Sequence, residues 1–213
     1  RIMIDGMNLA LDKGTGVSTY ARNLSYELHN MGLGVDVLYG SQSYLGPDSL
    51  LREIEFFDPV IERSNTIRIL RDIIELSRTI LWSSPKVIPQ TGTVISKTFS
   101  SRMPYADRIW NASNLFGSAD AHFYLTGKRK LVRLAHPPEI MHWTYPLPLR
   151  MLGAKNIYTL HDLVPLRLPY TTLDSKKHYL KLMRRIVKRA DHIVTVSETS
   201  RNDIIELLRC PED

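Results

Sequence analysis

The chain has 213 residues, 43% of them hydrophobic and 23% charged, with one cysteine and a formal net charge of +6. This apolar content suffices for one large domain, while the lone Cys210 excludes a disulfide framework or a Cys-based zinc site within the chain. No apolar run is long enough to span a bilayer, and Arg1-Ile2-Met3-Ile4-Asp5 meets an acid too early for a signal peptide.

The expected compartment is therefore reducing and cytoplasmic. The basic excess favours anionic partners, whether phosphate ligands, nucleic acid or an acidic membrane surface, and charge alone does not choose among them. The densest basic cluster, Lys128-Arg129-Lys130 with Arg133, lacks interleaved aromatics and reads as a solvated face or turn. Asn23-Leu24-Ser25 and Asn111-Ala112-Ser113 match glycosylation sequons that a cytoplasmic chain would never present for modification.

In chain order, Ile2-Met3-Ile4-Asp5-Gly6 reads as a short buried strand. Val17, Tyr20, Ala21, Leu24, Leu28 and Met31 then recur at helical spacing, and Gly32 and Gly34 stop that helix. Val35-Asp36-Val37-Leu38-Tyr39 is the next strand, which completes a βαβ unit with a right-handed crossover.

The middle, about 41–137, is less regular. Ile69, Leu70, Ile73, Ile74, Ile80 and Leu81 predict an amphipathic helix over 61–82. Acids mixed among its arginines favour docking on the sheet over a place in a membrane interface. Ser83-Ser84-Pro85 and Pro89-Gln90-Thr91-Gly92-Thr93 break regular structure, and a long loop is expected to about Met103.

The pattern sharpens after Pro137-Pro138. Glu139-Ile140-Met141-His142-Trp143 is a predicted strand, and Tyr145-Pro146-Leu147-Pro148-Leu149 must leave the sheet. Asn156 to Leu160 is the next strand and runs into His161-Asp162. Tyr179, Leu182, Met183, Ile186, Val187 and Ala190 mark a helix, His192 to Val196 the last strand, and Ser197 the cap of a final helix. The fold class is α/β: one domain over 1–213, built on a doubly wound, Rossmann-like, mostly parallel sheet, with ligands expected at the carboxyl ends of the strands.

Several residues carry chemistry by type and position. A glycine loop opening a helix, Gly14, Thr15 and Gly16, offers free backbone amides and a favourable dipole to a phosphate, or is simply a tight turn. Thr19 stands where a dinucleotide fingerprint needs glycine, and no ribose-binding acid follows Val37-Leu38-Tyr39-Gly40, so a nicotinamide or flavin site is not expected. His161 and Asp162 at a strand end either face a ligand or cap the strand and hold the turn before Pro165. No metal-ligand spacing and no nucleophile-elbow serine appears, and no cofactor or metal is called for.

Three segments together, Gly14-Thr15-Gly16-Val17-Ser18-Thr19-Tyr20, Tyr158-Thr159-Leu160-His161-Asp162-Leu163-Val164-Pro165-Leu166 and Ala190-Asp191-His192-Ile193-Val194-Thr195-Val196-Ser197-Glu198, resemble the amino-terminal half of family 4 glycosyltransferases. The resemblance is close over 1–40 and 138–208 and weak between. It implies one half of the two-domain GT-B architecture and retaining transfer of a hexose from a nucleotide-sugar donor to a glycan or lipid-linked acceptor. It also implies a carboxyl-terminal donor-binding domain as a partner, expected to follow about where this chain ends, without which the fragment is expected to be inactive.

Under that resemblance His161 and Asp162 are the catalytic candidates, and Gly14, Thr15 and Gly16 bind the donor phosphates. His142, with Trp143 beside it, lines the acceptor pocket. The activity would belong to polysaccharide biosynthesis, in the cytoplasm and peripheral at the inner membrane face. A non-catalytic nucleotide- or partner-binding module and half of a sugar-nucleotide epimerase are the alternatives that fold analogy leaves open.

Overall fold

The computed structural model describes residues 1–10, 16–43, 46–58, 82–92, 94, 103–171 and 175–211. Its strands are β1 (Ile2–Asp5), β2 (Val35–Tyr39), β3 (Trp82–Ser83), β4 (Lys86–Ile88), β5 (Arg108–Asn111), β6 (Lys130–Val132), β7 (Ile140–Trp143), β8 (Leu149–Met151), β9 (Lys155–Thr159) and β10 (His192–Val194). Its α-helices are α1 (Gly16–Asn30), α2 (Ser49–Phe57), α3 (Leu115–Thr126), α4 (Val164–Arg167), α5 (Lys176–Val187) and α6 (Glu198–Leu208).

Seven strands form the main sheet in the order β10-β9-β7-β1-β2-β5-β4. All neighbours are parallel except β4, which runs antiparallel along β5 at the edge. β3, β6 and β8 form a second, parallel sheet. The α/β, Rossmann-like class expected from the sequence is the one observed.

Both faces of the main sheet are covered, which is why β1 and β2 are mainly apolar on both faces, with Asp5 and Asp36 as their acids. Met3 and Leu38 point into one core with Phe123, Trp143, Met183 and Ile186. Their neighbours Ile4, Val37 and Tyr39 point into the other, with Ala21 and Phe56. Thus α1 and α2 cover one face, and α3, α5 and α6 the other.

The predicted ends hold closely. Gly32, at φ 76°, turns the chain out of α1, and the Ser197 hydroxyl accepts from the Ser200 amide at 3.2 Å to start α6. Met31 departs from the expected apolar face of α1: at 72% exposed it lies beyond the helix.

The middle holds more regular structure than its sequence suggested. Ser83 and Pro89, read as breakers, flank or end short strands, and α2, β5, α3 and β6 were not foreseen. The helix expected over 61–82 lies outside the described residues except for Trp82. Asn111, the sequon residue, is fully buried; its amide group donates to the Ser41 carbonyl at 3.0 Å and the Ser43 hydroxyl at 2.7 Å.

The basic cluster is corrected as well. Lys130 is not a solvated residue: it is fully buried in β6, and its ammonium donates to Ser118 Oγ at 2.7 Å. Arg129 donates to the hydroxyl of buried Tyr158 at 2.8 Å. Among the described residues, no helix is long and apolar enough to cross a membrane.

Candidate functional site

From β1 the chain moves outward through β2 to β5, then returns to β7 on the other side of β1 and moves outward again through β9 and β10. The connections therefore diverge at the carboxyl ends of β1 and β7. In open α/β sheets that divergence leaves a crevice, and ligands bind there.

Asp5 closes β1 at the bottom of this crevice. Its side chain is fully buried and takes the Thr144 amide and hydroxyl on Oδ2, the hydroxyl at 2.9 Å. Oδ1 accepts from the Met7 amide at 3.2 Å. Burial outweighs these donors and pushes the carboxyl up to about 6.

Thr144, just past β7, in turn accepts from His161 Nε2 on its carbonyl at 2.9 Å. A carbonyl only accepts, so Nε2 carries the proton of this bond, and Nδ1 is the ring nitrogen it leaves over. The backbone of His161 is held separately, its carbonyl accepting from Ser200 Oγ at 2.8 Å. Tyr20, on the first turns of α1, packs edge-on against the His161 ring with centroids 5.1 Å apart.

Below this layer, Thr159 Oγ1 meets the Tyr20 hydroxyl at 3.1 Å and His142 Nε2 at 2.8 Å. His142 is buried, and burial, followed by the charge of nearby His161, lowers its imidazole to about 4. It is thus a neutral, hydrogen-bonded ring under the site.

A cleft of about 370 Å³ opens above these residues, lined by Met7, Val17, His161 and Asp162 on one side and by Asp120, Ser175 and His178 among others. It therefore joins the head of α1 to the end of β9. One carboxylate oxygen of Asp162 accepts from the Val164 amide at 3.0 Å and starts α4, while its carbonyl accepts from the Tyr179 hydroxyl at 3.2 Å. So Asp162 holds the turn and lines the cleft at once.

The other sequence candidates distribute as follows. Gly16 is the first residue of α1 and exposed; no described atom lies within 4 Å of where its Cβ would be, so packing does not require glycine there. Gly14 and Thr15 lie outside the described residues. His142 is under the cleft and not on its wall. Trp143 has no exposed surface, donates from Nε1 to Asn156 Oδ1 at 3.0 Å, and belongs to the core. The strand's alternation turns Trp143 to the face opposite His142, and the structure does not bring it to the cleft.

Sequence reasoning missed Asp5, Thr144, Asp120 and His178. Asp5 was visible as an acid ending an apolar strand, a buried charge that needs donors. Asp120 and His178 gave no local signal, because α3 and α5 meet only in the folded chain. Desolvation raises the Asp120 carboxyl, against the opposing pull of the His178 imidazole. Among the described residues, no group of three or more His, Cys, Asp or Glu side chains could hold a metal ion.

The family model described as Glycosyltransferase Family 4 matches residues 93–213. No curated protein matches the chain.

Proposed function

The chain belongs to Glycosyltransferase Family 4, and from that premise we propose that it is the acceptor-side, amino-terminal domain of a retaining GT-B enzyme. Its function is of glycosyltransferase type, with a sugar donor and an acceptor as substrates. In this reading residues 1–213 are one domain, a carboxyl-terminal domain holds most of the donor nucleotide, and a hexose passes from a nucleotide-sugar to a glycan or lipid-linked acceptor in polysaccharide biosynthesis. The work is done in the cytoplasm, at the inner face of the membrane.

The observation that supports it best is the shared cleft of Val17, at the head of α1, and His161, at the end of β9. In transfer, the bond from the anomeric carbon to the diphosphate breaks, a bond to the acceptor oxygen forms, and the acceptor hydroxyl releases its proton. Charge grows on the departing phosphate. In this reading the amides of the Gly14-Thr15-Gly16 loop meet that charge, Gly16 being the first residue of α1, and α1 has no acid in its first turn to compete.

His161 is held with Nε2 occupied by Thr144, which leaves Nδ1 for a hexose hydroxyl. Asp162 has a second carboxylate oxygen for an acceptor hydroxyl. His142 acts from beneath, through Thr159 and Tyr20.

The test is turnover by the complete protein across a panel of nucleotide-sugars. His161→Ala is expected to lower kcat/KM by about a hundredfold or more. Turnover at the wild-type rate rejects His161, and donor affinity unchanged by a bulky residue at Gly16 rejects the phosphate loop.

A further inference from the structure

Helix α5 turns two different faces to its surroundings. Leu182, Met183 and Ile186 are buried in the core, and His178, Tyr179, Leu182 and Met183 line the cleft. Opposite them, Lys177, Lys181, Arg184 and Lys188, the residue that caps the helix in helical conformation, are all exposed. Their spacing of four, three and four residues stacks them within an arc of about 60° on the helix surface.

This stripe is cationic from end to end. No acid occurs between Lys176 and Arg189, and among the described residues none of the four stripe cations has an ion pair. Like charges at i,i+3 and i,i+4 repel and weaken a helix. A helix that keeps such a stripe uncompensated gains when an anionic surface covers it. With Leu180 and Arg185 the same four residues line a groove of about 430 Å³.

Apolar side chains stand at the rim. Tyr124 and Leu125, at the end of α3, are 75% and 76% exposed. The α3 terminus is joined to the stripe: Arg185 donates to the Gly127 carbonyl at 3.3 Å, and the Lys181 ammonium lies 5.7 Å from the Phe123 ring centroid. Tyr124 also packs against the His178 ring, centroids 5.7 Å apart. Cations flanked by an aromatic and a leucine match a bilayer interface, where charge meets headgroups and apolar side chains enter the acyl boundary.

We propose that the α5 stripe, with Tyr124 and Leu125, docks the protein on an anionic phospholipid surface. The face is built from α5 and α3 alone, and it gives the membrane association proposed above a place on the molecule. Because α5 is the wall between stripe and cleft, a docked bilayer lies one helix thickness, on the order of 10 Å, from the cleft. A lipid-linked acceptor could then reach the cleft without leaving the membrane.

The test is sedimentation of the whole chain with vesicles of phosphatidylcholine alone or of an equimolar mixture with phosphatidylglycerol. Binding is expected only to the anionic vesicles and should weaken steeply with salt. The triple variant Lys177→Gln, Arg184→Gln, Lys188→Gln, with an unchanged circular dichroism spectrum, should lose about fivefold per cation, on the order of a hundredfold together. A Tyr124→Trp reporter should be quenched by brominated acyl chains beyond the wild-type background.

Equal binding to both vesicle types, wild-type binding by the triple variant, or no vesicle binding overturns the proposal. So does capture by RNA or heparin with no quenching of the reporter. Neither donor nor acceptor enters this experiment, so its failure leaves the transferase reading standing, and failure of turnover leaves the docking surface standing.

Discussion

Asp5 and Thr144, 139 residues apart in the chain, are joined by two hydrogen bonds, the Thr144 amide and hydroxyl both donating to one carboxylate oxygen. The bond pins the ends of β1 and β7 together at the point where the sheet's connections diverge. Since the carbonyl of Thr144 accepts from His161, the position of the imidazole depends on a buried acid that never reaches the cleft.

That acid should make stability depend on pH. The folded state raises the Asp5 carboxyl from 3.8 to about 6, so as pH rises the unfolded chain releases this proton first. The contribution is full below 3.8 and is lost as pH climbs through about 6, amounting to about 3 kcal/mol. Urea unfolding of wild type and Asp5→Asn should therefore show a stability difference that shifts by about that amount across the window. A difference independent of pH would refute the assignment.

His142 should show the opposite slope. Its folded value is lowered from 6.5 to about 4, so on acidification the unfolded chain takes up the proton first and stability is lost as pH falls from 6.5 toward 4. The ring resonances of His142 in NMR should stay at neutral positions until about pH 4. Thr159→Val removes the hydroxyl that both His142 and Tyr20 meet, and unfolding should cost about 1–3 kcal/mol less in that variant.

Lys130 keeps an ammonium buried against a single hydroxyl, and burial lowers it from 10.5 to about 8. The folded state thus disfavours the charge, and stability should rise as pH climbs from about 8 to 10.5. Lys130→Met, similar in length and without charge, is expected to be neutral or stabilising at pH 7. Its advantage should shrink at alkaline pH in thermal unfolding; a marked loss of stability at pH 7 would count against this account.

Gly6 follows Asp5, and a Cβ there would stand 2.6 Å from Tyr39 Cδ1. Tyr39 is 1% exposed and packed on Phe56, so its ring cannot give way. Gly6→Ala should cost about 1–3 kcal/mol in urea unfolding. Wild-type stability would show that the ring has room to move.

The sequence displayed the elements whose signals are local. Strands buried on both faces appear as short, mainly apolar runs such as Val35 to Tyr39, broken only by Asp36, and α1 and α5 show one apolar stripe each. α3 was hidden because Leu115, Phe116, Ala119, Phe123, Tyr124 and Leu125 spread round the helix, and because it starts after Asn114 in a left-handed conformation, φ 47°. β6 and β8, three residues each, are too short to display a period. Lys130 misled because a basic run reads as exposed unless its neighbours in space are known.

At the site, His161 and Asp162 were legible as polar residues following an apolar strand, and Gly16 as the opening of a helix. What surrounds them was not. By itself the sequence determined the alternation of strands and helices, the ends where polar residues gather, and the family resemblance, because these depend on near neighbours along the chain. Only the tertiary structure decided that Asp5 supports Thr144, that Thr144 holds His161, and that Asp120 and His178 share the cleft. Strand order in space is not strand order in sequence, and pairing β1 with β7 makes neighbours of residues the chain keeps far apart.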